Sequence, residues 1–387
     1  MSKPRNFLIV VISFFLVLLL VFVILLMIHV KKTDSVVLID DLTCGYGEKI
    51  HVSKFIKDID GELLDDYLVD TSSIGEKRID IQYKNQYGFV ERKRFSVRIK
   101  DIVAPIIKVD TPYIVTKGEV SDLSDIIFCA DDYDDKVLCE ISGEYNLDQV
   151  GSYQVNVVAI DKSGNETKKD FVLNVVEENS DSKTIKFDNI YKKYKTDSNS
   201  IGISLSSSNN DIDLGKISSL GINFLMLGIG EQDKIGGEYS LNSKMLEYIE
   251  KASNYGLKTG LYVRSYAKNE SEAKRQARIL IKSINKYKIT LPISFCWGAF
   301  NNVSNYGVSI RSLNKIAGSF LSEVKRNGYD GMICSNQFYF DNVWYKSNYK
   351  KFVYNSSDSY NDYMIRQVYY GNIDGIDGIA GILVMED

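Results

Sequence analysis

The sequence predicts a multidomain chain: a transmembrane helix, two all-β sandwiches, and an α/β domain built as an irregular (β/α) barrel of TIM-like type. Three observations carry this. Positions 7–28 form an uncharged apolar run. A unit with strand periodicity occurs twice between 36 and 176. From 201 onward, short apolar runs alternate with amphipathic helices.

The apolar run FLIVVISFFLVLLLVFVILLMI contains a single serine as its only polar residue. As a helix it spans about 33 Å, enough to cross a bilayer core. A secretory signal has a shorter apolar run and a small-residue cleavage site. Here MIHVKKTD follows with no such site, so an uncleaved anchor is expected. Lys3 and Arg5 precede the run and Lys31 and Lys32 follow it, so the positive-inside count barely decides orientation. The domain types that follow place residues 1–6 in the cytoplasm and the rest outside, as a single-pass protein of the cell membrane. The net charge is −4, and no basic cluster occurs away from the membrane-flanking lysines, which argues against a nucleic-acid partner.

The repeated unit reads IGEKRIDIQYKNQYGFVERKRFSVRI from Ile74 and VGSYQVNVVAIDKSGNETKKDFVLNV from Val150. Gly75, Gly88 and Phe95 recur 76 positions later as Gly151, Gly164 and Phe171. Period-2 alternation on both sides of a glycine turn is a β-hairpin signature. Two β domains follow, 36–101 and 102–176, joined near DIVAP. DIVAPII, AIDKSGNET and the closing FVLNV resemble the immunoglobulin-like modules of bacterial surface proteins, which implies spacers or binding modules. The acidic cluster Asp131, Asp132, Asp134 and Asp135 offers calcium ligands. Its spacing does not match the loop with glycine at position six and glutamate at position twelve, so a solvated loop is the expectation. Cys129 and Cys139 flank this turn and are candidates for a hairpin disulfide; two small buried apolar residues is the other reading. The five cysteines include no C-x-x-C pair, and no metal site or cofactor is expected. Residues 177–200 are polar and read as a linker with one short packed turn at 190–194.

In 201–387, GISLSS, NFLMLGIG, KTGLYVRSY, LPISFCW, DGMICSN, KFVYNS, MIRQVYY and AGILVM read as strands. Helices are expected over 240–256, 269–287 and 309–328, the second opened by Asn269 with Glu272. The alternation argues for a parallel sheet with helices outside. The domain is short for a full eight-fold barrel of ~250 residues, so a compact, irregular barrel is expected.

GISLSSSNNDIDLGKISSLGINFLMLGIG, GLKTGLYVRSYAKNESEAKRQA, LPISFC, NGYDGMICSN and IDGIDGIAGILV resemble, in order, the lysozyme-type glycoside hydrolases of family 25. The resemblance implies an irregular β/α barrel cutting peptidoglycan at the carboxyl ends of its strands. Such chemistry needs carboxyl groups flanking the scissile bond. The positions where the resemblance places acids hold Ser204, Cys296, Gly298 and Gly381, and Arg366 stands where it places a tryptophan before Gln367. No catalytic residue is therefore expected. Glu231, Asp233 and Glu386 are the fallback acids. A Cys296 nucleophile lacks a base, because the only histidines are His29 and His51. Cys296 and Cys334 end neighbouring strands and read as core residues. Tyr262, Tyr266, Trp297 and Gln367 form a candidate ligand groove, with rings able to stack on sugars.

The leading expectation is a membrane-anchored surface protein with an inactive muramidase-like domain that binds peptidoglycan strands or an envelope partner. An active hydrolase using displaced acids and a protein-interaction scaffold are the alternatives.

Overall fold

The structure, a computed structural model, describes residues 3–32, 36–177, 186–209, 211–232, 236–298, 300, 307–346, 349–373 and 376–386. Helix α1 (Lys3–Lys32) contains the 19-residue span Ile9–Met27, with a mean hydropathy of 3.6 and none of it buried. It is long and apolar enough to cross a membrane. The chain divides into two compact units, Met1–Ile102 and Val103–Asp387.

The first unit contains β1 (Val36–Leu38), β2 (Thr43–Gly45), β3 (Ile56–Ile59), β4 (Gly61–Leu63), β5 (Gly75–Asn85) and β6 (Val90–Lys100). A four-stranded sheet has the order β2-β6-β5-β4, and β1 pairs with β3. Alternate residues of the β5–β6 hairpin point inward, burying Ile79, Ile81, Tyr83, Val97 and Ile99.

The second unit begins with the same layout. It comprises β7 (Ile106–Lys108), β8 (Tyr113–Thr116), β9 (Phe128–Ala130), β10 (Leu138–Ser142), β11 (Gly151–Ile160) and β12 (Glu166–Val176). The sheet order is β10-β11-β12-β8, with β7 paired to β9. β11 and β12 start 76 positions after β5 and β6, so the sequence repeat is a repeat of hairpins. Cys129 and Cys139 are joined in a disulfide.

The segment expected as a linker is partly built into the fold. Residues 178–185 lie outside the described residues, but α2 (Phe187–Tyr194) buries Phe187 against the barrel core, and the first barrel strand starts at Asn199. Ile190, Tyr191 and Tyr194 of the same helix pack against that core beside Phe187.

The barrel strands are β13 (Asn199–Leu205), β14 (Phe224–Gln232), β16 (Lys258–Ser265), β17 (Ile293–Trp297), β18 (Gly331–Asn336), β19 (Lys350–Tyr354), β20 (Ile365–Asn372) and β21 (Ile379–Glu386). The order β13-β21-β20-β19-β18-β17-β16-β14 closes through a β13–β14 pairing into an eight-stranded barrel, and β15 (Tyr239–Leu241) extends β14 outside it. Seven strands are parallel; β21 runs antiparallel to both neighbours. Helices α3 (Leu214–Ser219), α4 (Ser243–Ser253), α5 (Glu270–Ile284), α6 (Ile310–Arg326) and α7 (Gln337–Asn342) complete the domain. The Asn269 side chain caps α5 by accepting from the Glu272 N–H, as the sequence suggests. The interior is filled by Phe224, Met226, Met332, Cys334, Phe352, Ile365, Leu383 and Met385, so the barrel is a packed core and not a pore.

The β module of this unit packs directly on the barrel. Phe128 lies 5.1 Å from the Tyr339 ring and 5.9 Å from Phe300, within one continuous core. The first N–H groups of α6 donate across the junction: Ile310 to the Asp131 carbonyl at 2.8 Å and Arg311 to that of Asp132 at 3.3 Å. A helix start leaves such N–H groups without intrahelical partners, and here a neighbouring loop takes them. The acidic turn is therefore not the solvated loop its composition suggests: Asp131 is 1% and Asp134 6% exposed.

Candidate functional site

The carboxyl ends of the seven parallel strands share one mouth. Strand alternation decides what faces into it. On β16, Tyr262 and Arg264 point inward; on β17, Cys296; on β18, Cys334. Cys296 aligns with Arg264 on one side and Cys334 on the other. The two thiols are free. Burial and the neighbouring Cys296 push the Cys334 thiol well above its ordinary pKa, so it stays neutral and is a poor nucleophile.

Ser204 and Gly381 face each other across β13 and β21, and the Ser204 hydroxyl accepts from the Gly381 N–H at 3.0 Å. A Cβ on Gly381 would lie 2.4 Å from Ser204 Oγ and 2.7 Å from Gln367 Oε1. Gly298 is filled in the same way: a Cβ there would sit 2.3 Å from the Tyr266 ring. The Tyr266 N–H donates to Gln232 Oε1 at 3.0 Å, and Gln232 is held in a buried network with Gln276 and Ser265. Two positions where the family resemblance places acids thus have their side-chain space taken by neighbours. Gly378, with φ +77°, makes the turn into β21; a Cβ there would meet the Ser208 carbonyl at 2.2 Å.

Tyr262 lies on the floor, its hydroxyl donating to the Leu205 carbonyl at 3.1 Å and its pKa pushed up by burial. Gln367 reaches the same floor beside Gly381. Trp297 does not join the groove. It is 4% exposed and belongs to the core between barrel and helices. Cys296 takes the inward phase of β17, so the next residue must point outward.

Among the fallback acids, Glu231 does reach the mouth. It aligns with Arg264, with Oε1 3.8 Å from the guanidinium, and accepts from Ser207 Oγ at 3.3 Å. Burial opposes the charge on Arg264; the facing Glu231, together with Cys296, Tyr266 and Tyr262, outweighs it and raises the pKa. Glu386 is excluded: β21 is antiparallel, so Glu386 lies opposite Asn199 at the far end of β13. Five residues of strand put it about 17 Å from Ser204. It accepts from the Tyr363 hydroxyl at 3.0 Å instead. Asp233 lies outside the described residues. Sequence reading missed the Arg264–Glu231 pair; its signal is the arginine interrupting the inward phase of KTGLYVRSY.

The closed barrel, with its mouth at the carboxyl ends of the parallel strands, defines a β/α-barrel domain. Residues 203–363 match the model of the glycosyl hydrolases family 25, and the chain carries a domain of that family. Similar solved structures include the modular autolysin LytC of Streptococcus pneumoniae, at 17% identity and a TM-score of 0.41. That similarity covers 59% of this chain and 56% of LytC. A family 25 glycosyl hydrolase of Bacillus anthracis is 16% identical, covering 48% of this chain and 88% of that one, with a TM-score of 0.40. The spore cortex lytic enzyme SleM of Clostridium perfringens is 14% identical, covering 50% and 68%, with a TM-score of 0.41. No curated protein sequence matches the chain.

Proposed function

We propose that this chain is a membrane-anchored surface protein whose family 25 barrel binds peptidoglycan strands, or an envelope partner, without cutting them. One observation carries the proposal. The four positions that resemble the family's acids hold Ser204, Cys296, Gly298 and Gly381, and at two of them neighbouring side chains occupy the space that a longer side chain would take. Without an acid to protonate the leaving oxygen, cleavage has no supplied route. The mouth keeps an amide, an ion pair and two tyrosines, groups suited to hydroxyls and sugar faces. Helix α1 would hold the chain in the membrane, and the β modules, read as immunoglobulin-like, would lie outside.

The test is co-sedimentation of the purified chain with insoluble peptidoglycan. Binding that falls at least tenfold in Gln367→Ala and Arg264→Ala supports the proposal. No binding at any concentration overturns peptidoglycan as the ligand and leaves the envelope partner, as for a protein-interaction scaffold. A second reading, hydrolysis by displaced acids, rests among the described residues on Glu231, which sits at the mouth paired with Arg264.

A further inference from the structure

The turn that joins the β module to the barrel, with the end of β11 beside it, buries three carboxylates. Asp131, Asp134 and Asp161 are 1%, 6% and 6% exposed. A carboxylate oxygen of Asp131 and one of Asp161 lie within 4.8 Å of each other. Asp131 Oδ1 accepts from the Tyr133 and Asp134 N–H groups, both at 2.8 Å. Its Oδ2 is fully buried with no hydrogen-bond partner. Asp161 is oriented by Asn165, whose N–H and side-chain amide donate to its two oxygens at 2.8 and 2.7 Å. Asp134 Oδ2 accepts from the Lys162 N–H at 2.7 Å. The Lys162 ammonium lies 3.6 Å from Asp134 and 2.8 Å from Asp135, and its side chain is 62% exposed. A buried carboxylate oxygen without a donor is costly, and proteins relieve that cost by protonation or by a bound cation.

We propose that Asp131 and Asp161 bind a hard divalent cation, calcium in preference to magnesium, at the junction between the β module and the barrel. Oxygen donors alone suit such an ion, and an irregular set completed by water suits calcium better than the strict octahedron of magnesium. The consequence is mechanical. Asp131 and Asp132 offer their carbonyls to the start of α6. The Tyr345 hydroxyl donates to the Asp132 carboxylate. An ion seated on the Asp131 carboxylate fixes the loop that holds the two parts together.

The test is thermal unfolding and calorimetric titration of the full chain, made metal-free with a chelator, with calcium chloride as the probe. For affinities typical of extracellular calcium modules, a hundredfold excess over Kd raises the unfolding temperature by about 5 °C or more. Asp131→Asn abolishes the calcium shift and the calorimetric signal while raising the metal-free unfolding temperature, because it removes an unpaired buried charge. That opposite pair of effects separates loss of a ligand from loss of fold. Asp161→Asn weakens calcium binding at least tenfold, and Asp135→Asn leaves it unchanged. No shift with calcium in the unaltered chain overturns the proposal and leaves Asp131 as a protonated structural acid. A full shift retained in Asp131→Asn overturns it too.

Discussion

Replacing Gly298 by alanine tests whether the mouth has closed over a position where the family resemblance places an acid. The new methyl carbon would stand 2.3, 2.5 and 2.9 Å from three atoms of the Tyr266 ring. Real contacts of this kind do not occur, so the ring must move. Tyr266 is tethered through its N–H to the Gln232–Gln276–Ser265 network, which limits how far it can go. Overpacking of this sort costs ~1–3 kcal/mol. In a unit of this size that lowers the unfolding temperature by roughly 3–10 °C. Urea denaturation of Gly298→Ala, Tyr266→Ala and the double variant measures the coupling. The cost of Gly298→Ala is expected to fall by at least ~1 kcal/mol once the ring is gone. An unfolding midpoint for Gly298→Ala equal to the unaltered chain's would refute the reasoning: the ring would swing freely and the space would be open to a glutamate.

Three further outcomes follow from the same geometry. Ser204→Ala removes the acceptor for the Gly381 N–H and should cost ~1–3 kcal/mol in denaturant unfolding, the usual penalty for stranding a buried donor. Glu323 on α6 is clamped by Arg278 of α5, with Nε 3.0 Å from Oε1, and that hydrogen bond holds its carboxyl below the ordinary value against a small burial effect. A folded pKa below the unfolded one gives stability that is present above the ordinary carboxylate pKa and lost as pH falls through the folded value. Glu323→Gln should therefore be less stable than the unaltered chain at neutral pH, with the gap closing below about pH 4, as read from unfolding midpoints across pH. Reducing the Cys129–Cys139 bridge opens a short loop; the chain-entropy estimate is ~3 kcal/mol, and a Cys129→Ser, Cys139→Ser variant should lose a comparable amount in urea.

The barrel strands were legible because a strand buried on both faces must be a continuous apolar run, as NFLMLGIG is. The hairpins were legible because their alternation repeats with its glycine turns. What could not be read was phase, direction and docking. Trp297 looked like a groove ring because nothing local says which way the last residue of β17 points. Glu386 looked able to return to the mouth because the sequence does not reveal that β21 runs backwards. Nothing in the sequence marks Phe128 and Ala130 of the β module as part of the barrel's core, where they lie. Asp131 and Asp134 read as solvated because composition cannot see the helix that covers their loop. The four positions where the resemblance places acids were legible as residues, but the filling of two of them, Gly298 by Tyr266 and Gly381 by Ser204 with Gln367, needed the structure.

The central claim is that this barrel no longer cuts glycan. The most direct test incubates the purified chain, at high concentration, with peptidoglycan and counts new reducing ends against an active muramidase. The account predicts release no greater than buffer alone. Clear release would contradict it, and a loss of that release in Glu231→Gln would assign the chemistry to the one described acid that the structure brings to the mouth.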